Sequence, residues 1–275
     1  NGEDRMASEE SASARFPWAT ERQSVIGMVH LQPLPGSPRY AGSFDSVVSA
    51  AVRDAETLAE GGISAVMIEN FGDVPFFPGR VPSETVTHMT HVAGEITRRI
   101  DVPVGINVLR NDGVTAMSIA AAVGAAFVRV NVLSGARVTD QGVIEGIAHE
   151  LLRQRSRLGC ETVQILADVD VKHSAPLAAR PLADEVQDTI ARGCADAVIV
   201  SGSGTGAETP IESVRQVRAA AGSTPVLIGS GVTAETLPGL LAEADGVIVG
   251  TWLKRDGRVD APVDLARVRD VMGKG

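Results

Sequence analysis

Two stretches near the C-terminal end decide the fold: residues 225–233, PVLIGSGVT, and residues 244–251, ADGVIVGT. Each is a short aliphatic run, typical of a β-strand, that leads directly into small residues. Small residues leave backbone N–H groups open to a ligand, and two glycine-ended strands beside a helix start form the phosphate site of many (β/α)8 barrels. Thr233 is placed to cap a helix that begins at Ala234. The pair predicts a site for an anionic small molecule, although either stretch alone is also typical of a tight turn.

Six further aliphatic segments precede these two along the chain, and helical patterns separate them. The eight predicted strands are residues 25–31, 65–69, 104–108, 127–132, 163–169, 197–201, 226–229 and 246–250. The predicted helices are residues 44–60, 83–100, 114–123, 144–158, 182–191, 210–220, 234–241 and 263–272. Eight alternations without a break in composition predict one α/β domain, a (β/α)8 TIM barrel of the phosphate-binding type over residues 23–275. We expect the polar residues 1–22 to be disordered or loosely attached.

Composition limits the classes of partner. The 275 residues carry a net charge of −9, which disfavours binding to nucleic acid or to an anionic membrane surface. No apolar run approaches the roughly 20 residues that span a bilayer, and no signal-peptide pattern opens the chain. The two cysteines lie in no metal-binding motif. We therefore expect a cytoplasmic protein with a phosphorylated or anionic small-molecule substrate; self-association as a homo-oligomer is left open.

The candidate catalytic residues follow the fifth predicted strand and the second. Asp168, Asp170 and Lys172 alternate, and the strand period of two places them on one face. With Glu69, they offer carboxylates and an ammonium that shift one another's pKa and act as general acid and base. A structural ladder of salt bridges is the alternative. Lys172 is also a candidate for a Schiff base with a carbonyl substrate.

The candidate substrate-binding residues lie at the same strand ends, where barrels of this kind bind their ligands. They are His30, Asn107, Arg129, Asn131, Ser201, Gly204, Thr205, Gly229, Ser230, Gly231, Gly250, Thr251 and Lys254. Arg129 could instead pair with Asp168 or Glu69, and His30 could anchor the proline-rich loop that follows it. No cofactor is expected. A less favoured alternative is Mg²⁺ held by Glu69, Asp168 and Asp170, since the nearby cations reduce the need for a metal.

Several phrases in this order resemble the BtpA family, which includes the SgcQ-like proteins of bacterial sugar operons. They are residues 30–36 (HLQPLPG), 69–75 (ENFGDVP), 129–131 (RVN), 168–173 (DVDVKH) and 229–233 (GSGVT). The resemblance covers about residues 25–272 and implies a phosphate-binding TIM barrel. The family name refers to photosystem I accumulation, and members have been labelled possible nucleosidases.

Two functional expectations follow from the site and the resemblance. The favoured one is an enzyme that applies acid/base chemistry to a phosphorylated sugar or nucleoside-like molecule, as a lyase, glycosyl hydrolase or isomerase. The alternative is a non-catalytic, BtpA-like assembly or binding factor that retains an anion-binding pocket. The charged residues at the predicted strand ends favour the enzyme, since a retired pocket has no need of them.

Overall fold

Eight parallel strands close into a barrel in the computed structural model, which describes residues 24–202, 204 and 208–273. The barrel strands are β1 Ser24–His30, β2 Ala65–Glu69, β3 Val104–Asn107, β4 Phe127–Val130, β7 Gln164–Val169, β9 Ala197–Val200, β10 Val226–Ile228 and β11 Gly246–Val249; β5, β6 and β8 form a separate sheet described below. Around the barrel the strand order is β1–β2–β3–β4–β7–β9–β10–β11. The predicted TIM barrel is confirmed, and every barrel strand begins within one residue of its predicted start. The N-terminal segment 1–22 lies outside the described residues.

Helices cover the outside of the barrel. They are Phe44–Gly61, Ser83–Thr97, Gly113–Val123, Ala148–Arg157, Leu182–Gln187, Ile211–Ala221, Leu237–Leu241 and Leu265–Val271. In the longest, the Ser43 side chain accepts the Ser46 N–H at the start, and Gly62 ends the helix with φ 88°. Its buried apolar stripe faces the barrel wall, as the sequence periodicity predicts. Within the described residues, no helix is both long and apolar enough to cross a membrane.

The inside of the barrel is a packed apolar core rather than a channel. Inward side chains form one cluster that lies inside the ring of strands: Ile26, Met28, Ala65, Met67, Phe127, Leu166, Ala197, Ile199, Leu227 and Ile248. A Cβ placed on Gly105 would lie 2.0 Å from the Phe127 ring, so this glycine leaves the space that the ring fills. Because the interior is filled, ligands can enter only above it, at the C-terminal ends of the strands.

A small antiparallel sheet follows the C-terminal ends of two barrel strands and was not predicted. It consists of β5 (Ala136–Thr139), β6 (Gly142–Glu145) and β8 (Ser174–Pro176), in the order β6–β5–β8. The helix predicted from residue 144 therefore begins later, at Ala148, because residues 144 and 145 belong to β6.

The helix predicted from Ala234 is also shorter than expected and runs only over Leu237–Leu241. Thr233 Oγ1 accepts the Thr236 N–H at 3.1 Å, so Thr233 closes a turn ahead of this helix instead of capping it. The dipole of a five-residue helix adds little to an anion site.

Candidate active site at the barrel mouth

Four neighbouring strands place polar side chains in one row at the C-terminal end of the barrel. The register pairs His30 with Glu69, Glu69 with Asn107, and Asn107 with Arg129. Glu69, Asn107 and Arg129 are all buried. Asp168 adds a buried carboxylate from the next strand, β7. The parallel register thus gathers residues that lie nearly 140 positions apart in the chain.

Asp168 is fully occupied by its neighbours. Its carboxylate accepts two hydrogen bonds from Arg129, from Nε at 2.9 Å and from Nη2 at 2.8 Å. Asn131 Nδ2 donates to it at 2.8 Å, and the Ser201 hydroxyl donates at 3.4 Å. A bidentate arginine–carboxylate pair has a fixed geometry, so the Asp168 side chain orients the Arg129 guanidinium. The catalytic role of Asp168 stays a prediction.

Asp170 does not share the pocket with Lys172, contrary to the prediction. Its φ of 54° ends the strand alternation, and its side chain is 63% exposed, where it accepts a hydrogen bond from Arg137 Nη1 at 2.7 Å. The three carboxylates proposed for Mg²⁺ therefore do not converge. Among the described residues, no group of three or more His, Cys, Asp or Glu side chains is arranged to hold a metal.

Lys254, predicted to bind substrate, lies in a buried ion pair. Its ammonium donates to Asp54 Oδ2 at 2.5 Å, and the residue is only 1% exposed. The other oxygen of Asp54 accepts the Val263 N–H at 2.8 Å. The pair joins the helix Phe44–Gly61 to the C-terminal segment, so its role is to hold the last part of the chain against the barrel.

Two adjoining cavities open at the mouth and share four lining residues, His30, Glu69, Arg129 and Lys172. The first, of about 160 Å³, is the glycine side, which is also lined by Gly229, Ser230, Gly231, Gly250 and Thr251. The second, of about 480 Å³, is the aromatic side, which is also lined by Phe71, Phe76, Arg110, Asn131 and His173. The four shared residues thus lie between the glycine side and the aromatic side.

The glycine side carries the features expected of an anion site. Gly231 has φ 73°, a conformation that favours glycine, and a Cβ on Gly250 would lie 2.9 Å from His30 Cε1. The backbone N–H groups of Gly231 and Gly250 have no acceptor among the described residues. Such groups are ready to donate to a phosphate.

Two other residues of the predicted binding set, Ser230 and Asn107, make hydrogen bonds within the protein. Ser230 Oγ accepts the Gly202 N–H at 2.7 Å and so ties two loops together. Asn107 Nδ2 donates to the Arg129 carbonyl at 3.2 Å, which links two strands. A Cβ on Gly204 would lie 3.4 Å from the His173 ring. Thr205 lies outside the described residues.

Lys172 and Glu69 are ionisable groups at the mouth that lack a close partner among the described residues. Among the described residues, the Lys172 ammonium makes no hydrogen bond or ion pair, and the Glu69 carboxylate has only His30 Nε2, 3.8 Å away. Burial lowers the pKa of Lys172, and the charge of Arg129 lowers it further. Burial also raises the pKa of Glu69 above its usual value. The two pKa values therefore move toward each other.

His30 stays neutral beside these groups. Burial lowers its pKa well below the usual value, and the charges of Lys254, Lys172 and Arg129 act in the same direction. Its Nδ1 is buried and has no hydrogen-bond partner among the described residues. A neutral imidazole can donate one hydrogen bond and accept another, so His30 can hold a hydroxyl or carbonyl of a ligand.

Sequence reasoning missed three residues of the mouth. Arg110 is 5% exposed and donates through Nη2 to the Lys172 carbonyl at 2.6 Å. Phe71 and Phe76 line the aromatic side, and Phe71 lies 4.6 Å from the His30 ring, centroid to centroid. Their position in the sequence was the available signal, because all three lie in loops that follow a barrel strand, where barrels build their sites.

The sequence of the whole chain is similar to that of several known proteins. The sequence matches the BtpA family over residues 21–274. It is 52% identical to Uncharacterized protein TK2179 of Thermococcus kodakarensis, over 92% of this chain and 95% of that protein. It is 48% identical to the Photosystem I biogenesis protein BtpA of Synechocystis, over 89% and 85% of the two chains. The putative sgc region protein SgcQ of Escherichia coli is 32% identical over 92% and 94%.

Among solved structures, N-(5'-phosphoribosyl)anthranilate isomerase from Pyrococcus furiosus superposes with a TM-score of 0.56 over 92% of this chain and 98% of that one. Its sequence identity of 13% limits the likeness to the fold.

Proposed function

The chain belongs to the BtpA family, and we propose that it is an enzyme that transfers protons on a phosphorylated sugar or nucleoside-like molecule. The observation that carries the proposal is the placement of Glu69 and Lys172 at the junction of the glycine side and the aromatic side. A carboxyl with a raised pKa and an amine with a lowered pKa bring an acid and a base closer to the working pH. Lyase, isomerase and glycosyl hydrolase reactions all need such a pair.

The proposed substrate lies across both cavities. Its phosphate sits between Gly231 and Gly250 and accepts their N–H groups. Its reacting carbons then lie at the shared residues, Glu69 and Lys172, and the remainder extends toward Phe71 and Phe76. Arg129, fixed by Asp168, supplies permanent positive charge beside the reacting carbons, where negative charge develops when a proton is removed.

The binding part of the proposal is tested by calorimetry with matched pairs of ligands. Ribose 5-phosphate is compared with ribose, and AMP with adenosine. We expect each phosphorylated ligand to bind at least tenfold more tightly, and Gly231→Val to remove the difference. Gly124→Val is the matched control, because Gly124 has the same φ of 73° with nothing within 4 Å of an added Cβ. Equal affinities within each pair, or an equal loss in both variants, would contradict the phosphate site.

The catalytic part is tested by following a panel of sugar phosphates and nucleotides by NMR. We expect one class of compound to be converted, and Glu69→Gln to stop the conversion without loss of phosphate binding. The 48%-identical relative named as a photosystem I biogenesis protein supports the competing function, a non-catalytic assembly or binding factor. Tight binding of phosphorylated ligands without conversion of any of them would favour that function.

A further inference from the structure

The backbone around Lys172 is held in an uncommon conformation. Asp170 and His173, on either side of it, both have positive φ, 54° and 58°, although neither is glycine. The carbonyl of Lys172 itself accepts a hydrogen bond from Arg110, whose guanidinium is buried. Backbone conformations of this kind persist where the surrounding structure holds them, and they concentrate at functional sites. The loop thus directs the Lys172 side chain into the barrel mouth, where it lines both cavities.

Lys172 differs in chemistry from the other cations beside it. Arg129 and Arg110 line the same mouth and stay protonated at any physiological pH, whereas a lysine can lose its proton and become a nucleophile. No ion pair within the described part of the chain holds the Lys172 ammonium in its charged form. Burial and the charge of Arg129 both lower the pKa of its amine.

Glu69 supplies the second group that imine chemistry needs. It lines the same two cavities as Lys172, and burial raises its pKa, so that a larger fraction carries a proton. A protonated carboxyl next to an amine can protonate a departing hydroxyl. The neutral His30 beside Glu69 can accept a hydrogen bond from the same hydroxyl.

We propose that Lys172 Nζ forms an imine with the substrate, which makes the substrate an aldehyde or ketone that carries a phosphate. This inference rests on the proposed function and narrows its substrate class. Nζ bonds to the carbonyl carbon, and an N–H proton moves to the oxygen to give a neutral carbinolamine. Glu69 then protonates the hydroxyl, the C–O bond breaks, and water leaves. The nitrogen lone pair forms the C=N bond, which leaves an iminium cation beside the Glu69 carboxylate.

The lysine content of the chain makes this step easy to test. Only three lysines are present, at positions 172, 254 and 274. Lys254 is held in the buried pair with Asp54, and Lys274 lies outside the described residues. A reductively trapped adduct can therefore be located from very few peptides.

The experiment uses the full chain with glycolaldehyde phosphate or dihydroxyacetone phosphate and sodium cyanoborohydride, followed by intact mass measurement and peptide mapping. We expect one adduct on Lys172, formed at least tenfold faster than any adduct on Lys274, and slowed by inorganic phosphate. Lys172→Arg should abolish it, and Lys274→Arg should leave it unchanged. Glu69→Gln should slow it by about 100-fold or more. Adducts confined to Lys274, or an equal yield in Lys172→Arg, would overturn the proposal.

Calorimetry with inorganic phosphate on the same samples separates the two proposals. If phosphate binds and no adduct forms on Lys172 with either carbonyl compound, the imine is wrong while the proposed function stands. If an adduct forms on Lys172, but inorganic phosphate does not bind and phosphorylated ligands bind no more tightly than the same ligands without phosphate, the phosphate site is wrong instead. Retained phosphate binding in Lys172→Arg shows that this variant is folded.

Discussion

The two lysines in the described part of the chain occupy opposite environments. Lys254 is 1% exposed and donates a hydrogen bond to Asp54, which also accepts the Val263 N–H. Each polar side-chain atom of the pair therefore has a hydrogen-bond partner within the fold. Lys172 is half-buried at the mouth, lines two cavities, and has neither an ion pair nor a hydrogen bond to its ammonium among the described residues. A partly buried charge without a partner costs stability, and functional sites commonly hold charges in such settings.

The largest expected effect is on stability. Lys254→Met should lower the free energy of unfolding by about 3–5 kcal/mol, because it leaves Asp54 buried without its cation. Lys172→Met should change it by less than about 1 kcal/mol, since no partner is left uncompensated. Urea denaturation of the two variants measures the difference.

A double variant serves as the control for this first prediction. Lys254→Met with Asp54→Asn should regain part of the loss, because an asparagine is uncharged and its carbonyl still accepts the Val263 N–H. Equal losses of unfolding free energy in Lys254→Met and Lys172→Met would contradict the prediction, since they would show that Lys172 also stabilises the fold.

Replacing each lysine by arginine should give the next largest effect on the free energy of unfolding. Lys254→Arg should cost about 1–3 kcal/mol, because the bulkier guanidinium cannot take the position of the ammonium against Asp54 Oδ2 without shifting its neighbours. Lys172→Arg has a cavity on either side and should be nearly neutral. Thermal unfolding of both variants checks the prediction, and a neutral Lys254→Arg would mean that the guanidinium pairs with Asp54 as well as the ammonium does.

The barrel strands could be predicted from the sequence, but the different environments of Lys172 and Lys254 could not. Aliphatic runs, most of them bounded by Gly, Pro, Asn or Asp, identified all eight strands, because strands covered on both faces need continuous apolar residues. Asp54 and Lys254 are 200 residues apart, and only the closed barrel brings them together. Strand periodicity predicted that Asp170 would face the pocket, but it carries no information on where the strand ends.

The hairpin β5–β6 was missed for a different reason. Val143 and Ile144 continue an apolar pattern into the following helix, so the two elements were read as one. The sequence of the turn between Thr139 and Gly142 did carry a signal, because a glycine, Gly142, stands where the chain adopts a positive φ of 100°, a conformation that glycine favours. The sequence left open whether Arg129 pairs with Asp168 or with Glu69, and the pairing with Asp168 is seen only once β4 lies beside β7.

A substitution at Arg110 tests the special environment of Lys172 through the rate of imine formation instead of through stability. Arg110→Gln removes the hydrogen bond to the Lys172 carbonyl and releases the loop that directs the amine. We expect the imine to form about tenfold more slowly, with phosphate affinity unchanged, because the glycine side does not include Arg110. Arg80→Gln, an exposed arginine elsewhere on the barrel, is the control and should have no effect. An equal rate in Arg110→Gln would mean that Lys172 needs no positioning.

The smallest expected effect is a change in the pH dependence of stability. The folded pKa of Lys172 is lower than the usual 10.5, so between these two pH values the unfolded chain binds more protons at this site than the folded chain does. The contribution of Lys172 to stability is therefore present above pH 10.5 and is lost as pH falls through the folded pKa. In that window, wild-type stability should rise with pH more steeply than that of Lys172→Met, measured by urea denaturation at fixed ionic strength. Parallel curves for the two proteins would show that Lys172 titrates as an ordinary surface lysine, and the contrast with Lys254 would then rest on packing alone.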